Sequence, residues 1–197
     1  MASARHSTFC TPALLLISLA LVFRSVLTIV AAIQLSQPNI DDEQATVIAR
    51  ALQSEAQAHD FDPLTGVAII KHESGFDPRA VSHSKEDYGL AQIRARYIGA
   101  CKGNKDPVEH PTRACRLEQQ RLLEPRYNIQ VMAELITRNR AFCKKKVGSA
   151  QFHRWLASYQ GRNYPRQKRW CAPGDATWQV IEYRKQLIRQ LKQAKKL

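Results

Sequence analysis

The sequence predicts a mostly helical domain with long loops. Three observations support this prediction. Apolar residues recur at helical spacing in several segments, no segment shows sustained alternation of apolar and polar residues, and residues 76–125 are punctuated by prolines and glycines. The composition of 44% apolar and 24% charged residues is that of an ordinary soluble protein, and 197 residues suit one domain better than two.

The predicted helices follow recognisable start and stop signals. The acidic run at Asp41 begins a helix over residues 41–58. Pro63 lacks the N–H that stays unpaired in a first turn, so it begins the next helix, which ends near Gly75. Residues 76–125 are expected to be loops with one or two short helices. The remaining periodic segments predict helices over residues 127–143, 152–159 and 177–196.

The first 32 residues are predicted to be a signal peptide. The segment has an apolar run over residues 13–23, contains no acidic residue, and offers the small residues Val30-Ala31-Ala32 for cleavage. The mature domain would then comprise residues 33–197. We therefore expect an exported protein, either periplasmic or extracellular.

An uncleaved membrane anchor over residues 13–33 is the alternative interpretation. Arg24 lies in the middle of that stretch, and a central Arg costs about 2.5–3.5 kcal/mol on insertion scales. This cost favours the signal peptide over the anchor.

The cysteines indicate disulfides. Four of the five lie in the predicted mature domain, and an even number in an exported chain suggests two disulfides. Three pairings are open. Spacings of 14, 28 and 28 residues without a CxxC pair argue against zinc, and the histidines form no HExxH pattern, so no metal or cofactor is expected. The four candidates are Cys101, Cys115, Cys143 and Cys171, whereas Cys10 lies in the targeting segment.

The formal net charge of +13 indicates either an anionic partner or simply a solubilising surface. Nucleic acid, anionic membrane and anionic cell-wall polymer all fit the charge. The chain shows no nucleic-acid-binding motif and export removes it from nucleic acid, so that partner is not expected. The charge more plausibly holds the protein on wall polymer.

A reaction is indicated by Glu73-Ser74-Gly75-Phe76-Asp77-Pro78-Arg79-Ala80-Val81-Ser82 and, beyond it, Tyr88-Gly89-Leu90-Ala91-Gln92-Ile93. This stretch resembles the signature of soluble-type lytic transglycosylases, ES-x-F-x-P-x-A-x-S followed by G-L-x-Q-[IV]. The resemblance extends over about residues 40–190. The further blocks lie in the family's order at residues 61–72, 128–129, 157–161 and 180–183.

The resemblance implies a lysozyme-like fold and a peptidoglycan lytic transglycosylase. In such enzymes one Glu, here Glu73, acts as acid and then as base on the bond between MurNAc and GlcNAc, leaving a 1,6-anhydro-MurNAc end. The chemistry needs a carboxylic acid that is protonated near neutral pH, which apolar surroundings at the end of a buried helix can supply. The substrate would be the glycan strands of peptidoglycan, and the protein would act as a monomer.

The resemblance also implies three substrate-binding residues. Ser82 would form a hydrogen bond near the acid or the substrate, Gln92 would contact a sugar amide or Glu73, and Tyr159 would face the cleft. The chain departs from the family pattern at Ala91 (usually Met), Arg94-Ala95 (usually Met-Pro) and Gln160 (usually Asn).

Two other functions stay open. A lysozyme-type hydrolase needs a second carboxylate that activates water, about 6.5–9.5 Å from the acid in an inverting enzyme. Asp87 is the main candidate, ahead of Glu86 and Asp77. A non-catalytic wall-binding module, with wall or secretion-machinery partners, is the other alternative, although the intact Glu73 set argues against it.

Overall fold

A computed structural model of the protein describes residues 26–194; Cys10 and most of the predicted signal peptide lie outside the described residues. The described part forms seven α-helices and one two-stranded antiparallel hairpin, which confirms the mainly helical fold class. The helices are α1 (residues 26–36), α2 (Asp42–Ala58), α3 (Pro63–Glu73), α4 (Arg113–Arg121), α5 (Pro125–Val147), α6 (Phe152–Tyr159) and α7 (Asp175–Ala194). The strands are β1 (Asp87–Tyr88) and β2 (Ile93–Arg94), with short 3-10 turns at Ala95–Tyr97, Gly99–Cys101 and Pro165–Gln167.

The helix starts follow the capping signals in the sequence. The Asp41 carboxylate accepts a hydrogen bond from the backbone N–H of Gln44, and Asp62 accepts one from Leu64, each satisfying an orphan donor of a first turn. Pro63 occupies the first turn of α3 as predicted. The bounds of the five predicted helices therefore lie within a few residues of those expected.

Helix α3 lies at the centre of the domain. It packs against α2 and α7, while α5 packs against α2 and α6. The run Val67–Ile70 is fully buried, so α3 is apolar on every side along this run, as expected of an interior helix. Contact is close at Gly66, where an added Cβ would lie 2.5 Å from Leu52 and 3.3 Å from Met132. The core therefore fixes the helix that ends at Glu73.

The expected disulfides are present and their pairing is now defined. Cys101 pairs with Cys115, and Cys143 pairs with Cys171. The first bond joins a 3-10 turn to α4, and the second joins α5 to the loop before α7. Each cross-link ties irregular chain to a helix, and a bond of this kind stabilises a domain by about 2–4 kcal/mol.

The hairpin β1–β2 was not predicted. Asp87 pairs with Arg94 and Tyr88 with Ile93 within the segment that was expected to hold only loops and short helices. Strands of two residues are too short to produce an alternating pattern, so periodicity could not find them. Helix α4 is one of the short helices expected in this segment.

Helix α1 crosses the predicted boundary between signal peptide and mature domain. Ile29, Ala32 and Ile33 are buried in the core. The Ser36 hydroxyl donates to the Ala32 carbonyl at 2.7 Å and accepts from the Tyr183 hydroxyl at 2.5 Å. Among the described residues, no helix has the length and apolar character needed to cross a membrane. The signal peptide stays a prediction, and a cut after residue 32 would remove two core residues.

Candidate active site

An open cleft of about 1340 Å³ lies over the C-terminal end of α3. The end of α3, the hairpin, the 3-10 turns, α5 and the loop after α6 all contribute to its walls. Glu73, Asp87, Gln92 and Tyr159 line the cleft, whereas Ser82 does not. The structure therefore brings four of the five predicted site residues to one cavity.

Glu73 is the last residue of α3 and is largely removed from solvent. Burial raises the pKa of its carboxyl from 4.5 to about 7, and the negative charge of Asp87 acts in the same direction. Among residues 26–194, no cation or hydrogen-bond donor pairs with this carboxyl to offset that effect. Glu73 therefore has the properties of a general acid near neutral pH.

A sharp turn follows Glu73 and fixes the end of the helix. Gly75 and Phe76 both adopt positive φ, of 62° and 73°, and this conformation is strained for Phe. Burial of the Phe76 ring and a hydrogen bond of 2.9 Å from the Gln44 side chain to the Phe76 carbonyl hold the turn in place. The chain therefore leaves α3 abruptly and leaves Glu73 at the cleft.

The hairpin holds Asp87 beside Arg94. The guanidinium donates from Nε to one carboxylate oxygen at 2.9 Å and from Nη2 to the other at 3.1 Å. Glu86 lies 3.7 Å from Arg94 and 3.6 Å from Arg96. Asp87 is therefore a fixed negative charge with both oxygens engaged by one guanidinium.

Ser82 organises the loop that leads into the hairpin. Its hydroxyl accepts hydrogen bonds from the backbone N–H of Asp87 at 3.0 Å and of Glu86 at 3.3 Å, and it contacts the Ser84 hydroxyl. These contacts give it a local role that positions Asp87. Its predicted contact with the acid or the substrate stays a prediction.

Gln92 lines the cleft, and only the NH₂ group of its side-chain amide is engaged by the protein. Its Nε2 donates to the carbonyls of Gly89 at 3.0 Å and Ala80 at 3.2 Å, and these bonds accompany a positive φ of 44°. Within the described chain, no donor contacts Oε1. That oxygen is available to accept a hydrogen bond from a ligand in the cleft.

Tyr159 ends α6 and lies close to the acid. Its hydroxyl donates to the Ala91 carbonyl at 2.9 Å. Burial raises its pKa well above the ordinary value, and the charges of Glu73 and Asp87 raise it further. The phenol therefore remains protonated and fixed, so it can serve as a rigid wall of the cleft.

Asn128 supports this site, although the sequence gave it no role beyond opening a helix. It is fully buried, accepts from the Ala91 N–H at 2.8 Å, and donates to the carbonyls of Tyr88 at 2.9 Å and Leu122 at 2.7 Å. The bonds to Ala91 and Tyr88 hold the segment that carries the acceptor of Tyr159, and the bond to Leu122 ties that segment, through Asn128, to the end of α4. In the sequence, the one sign of this role is a polar Asn next to the apolar residues of a predicted helix, since a buried Asn must satisfy its amide.

The residues of this site lie in a part of the chain that matches a known protein family. A family model described as the transglycosylase SLT domain matches residues 50–161, which include every site residue predicted above. No curated protein and no solved structure matches the chain.

Proposed function

Because the chain belongs to the transglycosylase SLT domain family, whose model covers more than half of it, we propose that it cleaves the β-1,4 bond between MurNAc and GlcNAc and forms 1,6-anhydro-MurNAc ends. Family membership supports lytic transglycosylase activity on peptidoglycan in general. The product and the single acid/base are the finer parts of the proposal.

The observation that carries the proposal is the burial of Glu73 at the end of α3 in an open cleft of about 1340 Å³, which raises the pKa of its carboxyl to about 7. The protonated carboxyl gives its proton to the oxygen that links MurNAc to GlcNAc, and the bond from that oxygen to MurNAc C1 breaks. The Glu73 carboxylate then takes the proton of the MurNAc 6-hydroxyl, and the oxygen of that hydroxyl forms the new bond to C1 of the same sugar. No water is consumed, and Glu73 ends protonated again.

The contacts around Glu73 favour an internal nucleophile. The Tyr159 hydroxyl is held by the Ala91 carbonyl, and the Gln92 Nε2 by the Gly89 and Ala80 carbonyls, which leaves Oε1 of Gln92 as an acceptor. Such fixed groups restrict how the sugar lies above the acid. Positioning a hydroxyl of the same sugar replaces much of the work of a second catalytic carboxylate.

The second candidate is hydrolysis with Asp87 as the base. Asp87 lines the same cleft as Glu73, which keeps this candidate open. However, both Asp87 oxygens accept hydrogen bonds from Arg94, so the carboxylate is less able to take a proton from water. This contact favours the transglycosylase.

We also propose that the protein is exported and acts on the cell wall. The two disulfides fit an oxidising compartment outside the cytoplasm. The net charge of the full chain is +13, and only Arg5 and Arg24 of its charged residues lie in the predicted signal peptide, so the exported domain stays strongly basic and would be held on anionic wall polymer. The signal peptide over residues 1–32 belongs to this proposal, and so do a monomeric state and partners in a wall or secretion machine.

The test is digestion of purified peptidoglycan by the full, disulfide-bonded chain, followed by mass spectrometry of the released fragments. An anhydro end is lighter than a hydrolysed end by one water. Glu73→Gln should abolish release, while Glu134→Gln, an exposed change of equal charge on α5, should not. Reducing ends would favour the hydrolase, and no release by the folded wild type would favour a binding module.

A further inference from the structure

The cations that line the cleft fall into two groups. Arg94 and Arg96 are paired with acids of the hairpin loop. Lys102, Arg138 and Arg162 also line the cleft. Across residues 26–194 these three side chains have no hydrogen-bond, ion-pair or aromatic partner. They come from three different parts of the fold, namely the turn after the 3-10 segment Gly99–Cys101, α5 and the loop after α6.

Arg162 differs from an ordinary surface Arg because it is held in place. Its N–H donates to the Ala157 carbonyl at 2.9 Å, and its carbonyl accepts from the Ala172 N–H at 3.2 Å. Its guanidinium packs against Gly174, where an added Cβ would lie 2.1 Å from Nη1. The adjoining bond between Cys143 and Cys171 ties the same loop to α5.

A half-buried guanidinium without an acceptor indicates a ligand. The group carries five N–H donors in a fixed fork that matches a carboxylate. The acids of the cleft do not supply one, because Glu73 is protonated up to about neutral pH and Asp87 is engaged by Arg94. The position is therefore prepared for an anionic group that arrives with the substrate.

We propose that Arg162, which lines the same cleft as Arg138 and Lys102, binds a carboxylate of the peptide attached to the muramic acid of the strand, so that the enzyme prefers peptide-bearing over stripped glycan. The inference rests on the proposed function. The N-acetyl sugars themselves are neutral, and the carboxylates of such a strand are carried by the lactyl-linked side group. A peptide lengthens that side group, so its carboxylates lie several bonds away from the sugar ring and are available to cations on the cleft walls.

The experiment compares two soluble, uncross-linked substrates from one wall preparation. One carries its peptides, and the other has been treated with an amidase, which leaves only the lactyl carboxylate. Wild-type chain should show a higher kcat/KM on the peptide-bearing strands. Arg162→Gln should lower that preference about 10-fold, since hydrogen bonds to charged groups have this order of effect. Arg189→Gln, an exposed change of equal charge on α7, should leave the preference unchanged.

Two further measurements separate the possible failures. Binding of both strand types to Glu73→Gln chain, with and without Arg162→Gln, reads the preference without catalysis, and thermal melting checks that each variant folds. Equal loss on both strand types, or no peptide preference in the wild type, would overturn the inference while the proposed function stands. Absence of cleavage of either substrate by wild type would instead overturn the proposed function.

Discussion

The two parts of the molecule that form the cleft are built in different ways. Helix α3, which carries Glu73, is a core element whose residues 67–70 are fully buried. The loop after α6, which carries Arg162, has little apolar burial and is held by hydrogen bonds, an Arg–Gly contact and a disulfide. A buried helix can hold an acid within the tolerance that proton transfer requires.

This difference matches the two tasks that we propose for the cleft. The acid needs low solvent exposure and a fixed geometry, and the core supplies both. Recognition of a substituent needs exposed hydrogen-bond donors. A surface loop held by a disulfide can supply them without placing polar groups in the apolar core. Changes to α3 should therefore affect the reaction itself, while changes to the loop should affect stability locally and substrate preference.

The largest expected effect is on catalysis at α3. Glu73→Gln removes the acid and should lower kcat by about 10²- to 10⁴-fold. In the wild type, kcat/KM should fall about tenfold per pH unit above pH 7, because the carboxyl loses its proton with a pKa of about 7. A pH–rate profile measures this. A rate that stays constant from pH 6 to 9 would contradict the assignment of Glu73 as the acid.

The next effect concerns the support of the core by α1. A chain that begins at residue 37 lacks Ile29, Ala32 and Ile33, all buried, and should be less stable than one that begins at residue 26. Apolar burial of this size contributes on the order of 5 kcal/mol, as an upper value. Urea unfolding of both chains measures the difference. Equal midpoints would show that α1 does not belong to the folded domain.

Removing the disulfide between Cys143 and Cys171 tests the role of the loop after α6. Replacing Cys143 and Cys171 by Ser should lower the free energy of unfolding by about 2–4 kcal/mol. If loss of this disulfide destabilises only the loop after α6, backbone amide hydrogen exchange should increase more around Arg162 than in α3. The matched control replaces Cys101 and Cys115, which leaves the Arg162 loop covalently tied. Similar exchange in the two double variants would mean that the difference between the regions is not local.

The stability of the α3 side should also depend on pH through Glu73. Its folded pKa, about 7, lies above the unfolded value, so the folded state is favoured while the carboxyl is protonated and loses that advantage as the pH rises through 7. Glu73→Gln should therefore gain stability relative to wild type between pH 5 and 8, by at most about 3 kcal/mol. Denaturant midpoints at both pH values measure the gain. If the midpoints of Glu73→Gln and wild type differ by the same amount at pH 5 and at pH 8, the raised pKa of Glu73 is contradicted.

The sequence predicted the fold well where helices have strong local signals. The capping acids Asp41 and Asp62 and the proline at the start of α3 mark starts that the structure retains. The hairpin β1–β2 escaped prediction because its strands have two residues each. Cysteine pairing escaped too, since proximity in space is set by packing rather than by spacing along the chain.

The candidate site was predicted through its motif rather than through its contacts. Glu73 and Tyr159 could be named because both lie in recognisable blocks. The bidentate contact between Asp87 and Arg94 could not, because it depends on the register of an unpredicted hairpin. The support given by Asn128 also depends on a contact between segments about 40 residues apart.

The smallest expected effect distinguishes the two reactions at the same cleft. Asp87→Asn removes one negative charge that raises the pKa of Glu73, so the alkaline limb of the pH–rate profile should move to lower pH. The shift should be less than about 1 unit, because burial is the larger cause of the raised pKa. A transglycosylase should keep most of its activity below pH 6, since Asp87 takes no proton in its reaction. A hydrolase should lose about 10²-fold or more of its activity at every pH, because its base is gone.

Arg94→Gln serves as the companion variant. It removes the cation beside Asp87, so the negative charge of Asp87 acts more strongly on Glu73 and the alkaline limb of the pH–rate profile should move to higher pH. A shift to lower pH would contradict this electrostatic account of Glu73.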